Sequence, residues 1–457
     1  MARAPGQLLL LVAALLAVAR VASGQAVNNT NYSPCLKAQT NRAVKFRPLV
    51  RGVGKSSDWK SVLALDGGDV RAVIETAVLC EVEQALKRSL LFKGHVNFSS
   101  TDDFDILLGD YFDFTVGASA GTYVSTYLAT EGGDAHMAIP SITALPGSAL
   151  GAYQFMQAFR YLIRDATNTL PAGSARADAY QTLPLMRQVS TKFLKDVYGN
   201  RTLWDYYGEG RTALMAQWTR ASGNGFGTQP YTVFQDNWSE RGGIETTEVD
   251  GTPAYNTALN FYIWQMTAGA TSWPQRVTPL IATTSPSSVQ QATYPIMDSV
   301  LSATDPAEIV IPYMINRRRI SPDRIAMLSI GTASVLNSTV GGDTFPINDV
   351  NWITSPALSS GAAWFATLGN RHYGATRVSS LFPSEAVLRL DQLITTSTAA
   401  GDVCPRGWYT PGNCTYARQA YQGTNGNFYP AYTMMGATVA QIYYSQIDVW
   451  VRNHLTK

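Results

Sequence analysis

The chain is poor in charge. Only 15% of its 457 residues are Asp, Glu, Lys or Arg, where about a quarter is usual. The 35 basic and 33 acidic side chains nearly cancel, to a formal +2. No block of like charge stands out, which argues against a nucleic-acid partner. Histidine is scarcer still: His95, His136, His372 and His454 are the full set. There are four cysteines, Cys35, Cys80, Cys404 and Cys414, and neither close nor distant pairs have zinc-site spacing. There is no Gly-x-Gly-x-x-Gly and no Gly-Lys-Ser/Thr, which disfavours a nucleotide cofactor. No cofactor and no metal are expected. We find no internal repeat. Beyond the N-terminal segment, no apolar run approaches the roughly 18 residues of a membrane span. What is plentiful is apolar: 46% of residues are hydrophobic, enough for a substantial core. The length suits two or three average domains, or one large α/β domain with insertions.

The N-terminus has its own logic. Arg3 precedes the apolar run Leu8–Ala19, and Val21-Ala22-Ser23-Gly24 follows. That order reads as a secretory signal over residues 1–24, cleaved after Gly24. The alternative is a membrane anchor, for which the run is short. Arg3 and Arg20 are the segment's only charged side chains, so the chain beyond it is formally neutral. Asn-x-Ser/Thr sequons occur at Asn28, Asn31, Asn97, Asn200, Asn237, Asn337 and Asn413. With the signal they predict a glycosylated protein of the secretory route, either secreted or in a vacuolar lumen. Cys404 and Cys414 flank the loop PRGWYTPGN and are expected to form a local disulfide. Cys80 either pairs with Cys35 or is a free thiol in a buried helix.

Three strand–turn–helix units and a fourth strand–turn unit organise the middle of the chain. In the first, Ser61–Leu65 reads as a strand and Asp66-Gly67-Gly68-Asp69 as a turn. Ile74, Val78, Val82, Leu86 and Leu90 then recur every four residues, as in an amphipathic helix. Paired glycines after a strand aim several N–H groups at one point, so this turn suits a phosphate or an oxyanion; it also suits an ordinary β–α connection. In the second, a strand over Phe112–Val116 enters Gly117-Ala118-Ser119-Ala120-Gly121, and a helix over Thr122–Thr130 follows, closed by Gly132-Gly133. A Gly-x-Ser-x-Gly turn of this kind exposes a serine hydroxyl beside helix N–H groups; read blandly, it only packs a helix on a sheet. In the third, a strand over 244–249 ends at Asp250-Gly251, with a helical run from Asn256 through Met266. In the fourth, the strand Arg324–Ile330 stops at Gly331-Thr332. Residues 384–396 and 437–455 read as late helices. Turns at the carboxyl ends of alternating strands predict an α/β fold with a mainly parallel sheet.

Taken together, LALDGGDVRAVIETAVL, DYFDFTVGASAG, EVDGTPAYNTAL and MLSIGTA resemble, in order and context, the patatin-like phospholipases. The resemblance covers roughly residues 61 to 335. It implies a three-layer α/β sandwich around a central, mainly parallel sheet. It also implies a serine–aspartate dyad that hydrolyses lipid acyl esters at a membrane or lipid surface. On this reading Ser119 matches the nucleophile and Asp250 the dyad acid. Gly67 and Gly68, with the N–H of Asp69, match the oxyanion turn, and Arg71 matches its supporting arginine. The chain departs from the family pattern at Asp69, Ala72 and Thr252, where the family usually has small residues or glycine.

The expected organisation is therefore a signal (1–24), an irregular extension (25–56), a catalytic domain (57–395) with an insertion near 134–243, and a C-terminal segment (396–457) with the disulfide loop and a terminal helix. Two other readings compete. His372 follows Ser119 and Asp250 in the chain order of a Ser-Asp-His triad. A secreted glycoprotein on this scaffold also suits a storage or binding role without turnover.

Overall fold

The computed structural model describes residues 47–68, 71–168, 179–203, 205, 213–220, 231–236, 243–247, 253–256, 260–272, 280–287, 293–298, 304–316, 319–332, 334–336, 378, 382, 385–391, 393–397, 402–405 and 428–457. In chain order the strands are β1 (Leu49–Val50), β2 (Lys60–Leu65), β3 (Asp105–Ile106), β4 (Phe114–Ala118), β5 (Ala213–Arg220), β6 (Tyr231–Asp236), β7 (Gly243–Thr247), β8 (Pro253–Asn256), β9 (Leu280–Thr283), β10 (Thr293–Asp298), β11 (Ile325–Ile330), β12 (Ser334–Leu336), β13 (Val387–Leu390), β14 (Leu393–Ser397) and β15 (Asp402–Pro405). The main helices are α1 (Ala72–Phe92), α2 (Gly121–Ala129), α3 (Ala149–Asn168), α4 (Ala179–Tyr198), α5 (Ile263–Ala270), α6 (Ala307–Asn316), α7 (Phe428–Ile442) and α8 (Tyr444–Trp450).

The protein is α/β, and its central strands run parallel in the order β13-β11-β2-β4-β5. Beyond β5 the sheet continues antiparallel through β6, β7 and β8. Alternation along β2 explains how both faces are covered. Leu63 and Leu65 point into the core built with α1, α2, α3, α5, α7 and α8, while Val62 and Ala64 point into a second core under α6. A strand buried on both faces must be apolar throughout, and β2, β4 and β11 are almost uniformly so.

The expected strands at 61–65 and 324–330 and the helices at 74–90, 122–130 and 437–455 are present, the last broken at Tyr443. Other expectations are corrected. Where a helix over 384–396 was expected, Val387–Leu390 and Leu393–Ser397 are two strands. The edge of β11 offers a parallel ladder that Val387–Leu390 completes, with Met327 N–H donating to the Ala386 carbonyl and Gly331 N–H to that of Leu390. The β-branched run Ile394-Thr395-Thr396 favours extension for the second. Asn256 does not begin a helix either. It closes β8 opposite Ile244, and the helix starts at Ile263. Asn260, fully buried, ties loops together instead by donating to Thr202 and Ser287 Oγ, each at 3.0 Å. The segment 134–243 supplies β5 and β6 to the sheet as well as α3 and α4. Cys80 is buried in α1 and is disulfide-bonded. That removes the free-thiol reading.

Candidate active site

Three turns come together at the carboxyl end of the parallel strands. Register places Leu65 of β2 opposite both Gly117 of β4 and Ile330 of β11, and Ile330 opposite Leu390 of β13. The segments that follow, 66–68, 118–121 and 331–332, therefore emerge side by side, where open α/β sheets bind ligands.

The β4–α2 turn is built around two missing side chains. A Cβ on Gly117 would collide with the Gly121 and Thr122 backbone, and one on Gly121 would come within 2.5 Å of the Leu65 carbonyl oxygen. The turn thus folds back on itself and lies against the end of β2. Ser119 sits at its apex with φ +48°, in the left-handed region that a non-glycine residue rarely adopts. Its carbonyl accepts the Thr122 N–H at 3.0 Å, and Thr122 Oγ1 donates to the Gly117 carbonyl at 2.9 Å. These bonds hold the strained residue at the start of α2.

Ser119 is 6% exposed, and its hydroxyl donates to Oδ2 of Asp298 at 2.5 Å. Register explains the meeting. β5 is flanked on one side by β6 and on the other by two strands placed end to end. β4 runs parallel to β5 and finishes with Ala118 opposite Gln217, while β10 runs antiparallel and finishes with Asp298 opposite Trp218. The next residue of β4's chain is Ser119, so the strand ends deliver serine and aspartate to one point. Asp298 is 2% exposed, and its N–H donates to the Ser272 carbonyl at 3.1 Å. Ser272 Oγ accepts from Arg187 and donates to the Ala268 carbonyl at 2.6 Å. Thr271 Oγ1 bonds the Tyr123 hydroxyl at 2.9 Å, tying the end of α5 to α2. Burial holds Arg187 below its ordinary pKa, at about 10.

Asp298 is the residue that sequence patterns missed. It stands at the end of TYPIMD with no glycine after it, and its place beside Ser119 follows from a long-range strand register with no local motif. The expected acid, Asp250, lies outside the described residues, as do Asp69, Thr252, His372, Cys35, Cys414 and the sequon residues Asn28, Asn31, Asn237, Asn337 and Asn413. Asn97 and Asn200 are exposed. Cys404 lies in β15, opposite Thr395.

The 66–68 turn is tied down group by group. The Asp66 N–H donates to the Ile330 carbonyl at 3.1 Å, and the Gly67 N–H to the Thr304 carbonyl at 3.2 Å. Thr332 Oγ1 donates to the Gly67 carbonyl at 3.0 Å. The Gly68 carbonyl accepts both the N–H and Nε of Arg71, at 3.1 and 3.2 Å. A Cβ on Gly68 would collide with the Thr332 side chain, so only glycine fits against β11 there. Gly67 has thus committed its N–H to the scaffold, while among the described residues nothing accepts the Gly68 N–H. No group of His, Cys, Asp and Glu suited to a metal ion occurs among the described residues. No helix among them is long and apolar enough to cross a membrane. Compared with known proteins, the chain matches no family model and no curated protein.

Proposed function

We propose that the protein is a serine ester hydrolase using Ser119 as nucleophile and Asp298 as its base. The observation that carries this is the 2.5 Å hydrogen bond from a left-handed, turn-apex serine to a buried carboxylate. A serine hydroxyl has one proton to donate, and here Asp298 takes it. As Ser119 Oγ attacks an ester carbonyl, the proton passes to Asp298 and the substrate oxygen becomes an oxyanion. Donors for that charge are the Gly68 N–H and the Ala120 N–H that follows the nucleophile, with the Asp69 N–H as the expected third. Asp298 then returns the proton to the leaving alcohol. A water molecule, deprotonated by the same carboxylate, releases the acyl group from Ser119.

The resemblance to patatin-like phospholipases supplies the substrate class: acyl esters of phospholipids or other glycerolipids, met at a lipid surface. The signal and sequons support a secreted or vacuolar glycoprotein. The test is an acyl-ester panel, from short p-nitrophenyl esters to phospholipid vesicles, run on the parent, Ser119→Ala and Asp298→Asn. Both variants should lose turnover by about 1,000-fold or more. Full activity in Ser119→Ala would end the proposal.

A further inference from the structure

We propose that Arg389 is a positioning residue that sets the oxyanion turn by clamping Asp66; this rests on the hydrolase reading above. Arg389 belongs to β13, two strands from β2, and its side chain crosses β11 to get there. Its partner across the ladder is Ser329, whose Oγ accepts Nη1 at 2.5 Å on the way. Beyond it, the guanidinium grips Asp66 with both prongs, Nη1 to Oδ1 at 2.8 Å and Nη2 to Oδ2 at 2.5 Å. Asp66 is fully buried and immediately precedes Gly67-Gly68. Asp391 takes a further bond from Nη2 at 3.1 Å, and Asp305 Oδ2 lies 3.6 Å from Nη1.

The cluster reaches the turn a second way. Asp305 is 1% exposed, and its Oδ1 accepts the Ala307 N–H at 2.9 Å at the start of α6. The preceding residue, Thr304, gives the carbonyl that holds the Gly67 N–H. One arginine therefore braces both the residue before the turn and the loop that receives the turn's first N–H. Burial works against the Arg389 charge, but Asp66, Asp391 and Asp305 together hold it well above the ordinary range, so the brace stays charged. A planar fork is required, because both carboxylate oxygens of Asp66 are addressed at once; the point charge of lysine cannot do this. Arg389 touches no reacting atom in this scheme. It acts through the 66–68 backbone.

The test compares the parent, Arg389→Lys and Asp66→Asn in three measurements: thermal midpoint, steady-state ester kinetics, and hydrogen–deuterium exchange of the peptide from Leu63 to Gly68. Arg389→Lys should keep the fold and bind substrate normally. Its kcat should fall about 100-fold with KM within about twofold, the signature of a misplaced transition-state donor. Exchange at Gly67 should rise, while that of Phe114–Val116 in β4 should not. Asp66→Asn, which keeps the shape but loosens the fork, should lose kcat in the same sense by a smaller factor. Unchanged exchange and kcat in Arg389→Lys would overturn the proposal while leaving the hydrolase reading intact. So would a kcat loss that tracked a drop in thermal midpoint alone in both variants. A parent that turned over no ester would overturn both.

Discussion

At the scale of single residues, the site depends on which side chains are absent as much as on which are present. Gly117 and Gly121 let α2 start against the end of β2, and that contact places Ser119. Gly121→Ala puts a methyl group against the Leu65 carbonyl oxygen with no flexible partner to yield. It is expected to cost about 3 kcal/mol or to prevent folding, as read by urea denaturation. The serine's partner gives a sharper prediction. Asp298→Asn preserves shape and burial but removes the proposed base, so kcat should fall while the thermal midpoint shifts by only a few degrees. Run beside it, Asp250→Asn should retain most of the parent's turnover; the reverse ranking would return the base to Asp250. The turn that holds Ser119 was legible in the sequence because its motif is local. Asp298 was not, because nothing near it in the chain marks it, and a strand register nearly 180 residues removed brings it to the serine.

At the scale of elements, strand ends and the helices they launch place Ser119 beside Asp298. The sequence shows β2, β4 and β11 clearly, since each is an apolar run stopped by glycine or by small residues. It hides β13 and β14. The spacing of Val387, Leu388, Leu390, Leu393 and Ile394 fits a helix face as well as it fits two strands. Only the open edge of β11 decides between them. The loop before α6 makes a prediction of its own. Burial, together with the nearby Asp66 charge, outweighs Arg389 and holds the Asp305 carboxyl at about 7. A carboxyl raised in this way binds its proton more tightly folded than unfolded. The stability it contributes is therefore full in acid and declines as pH climbs from about 4 through about 7. Asp305→Asn keeps an acceptor for the Ala307 N–H and has no charge to bury. Its thermal midpoint should gain on the parent's across that window and hold a constant lead above it. Parallel pH curves for the two proteins would refute this.

At the scale of the whole molecule, α7 and α8 are part of the main core. α7 lies against α1 so closely that a Cβ on Gly436 would come within 2.5 Å of the Ile74 carbonyl oxygen. Tyr432, Met435, Val439, Ile447, Trp450 and Leu455 are buried with α1 and β2 in one cluster. The Ser89 and Thr456 hydroxyls meet at 2.7 Å, and Lys93 donates to the Arg452 carbonyl at the same distance. A chain ending at residue 427 would expose the apolar face of α1. It should lose its cooperative thermal transition and bind 8-anilinonaphthalene-1-sulfonate; a sharp transition near the parent's midpoint would show that α7 and α8 are dispensable. Composition foretold a large core but not its closure from the far end of the chain. Contacts of that kind have no sequence period. Covalent capture can show whether Ser119 and Asp298 act together as nucleophile and base. The protein is treated with a fluorophosphonate and its intact mass and peptides are measured. One adduct is expected, on Ser119, formed far more slowly in Asp298→Asn and absent in Ser119→Ala. A folded parent with no adduct, or an adduct on another residue, would contradict it.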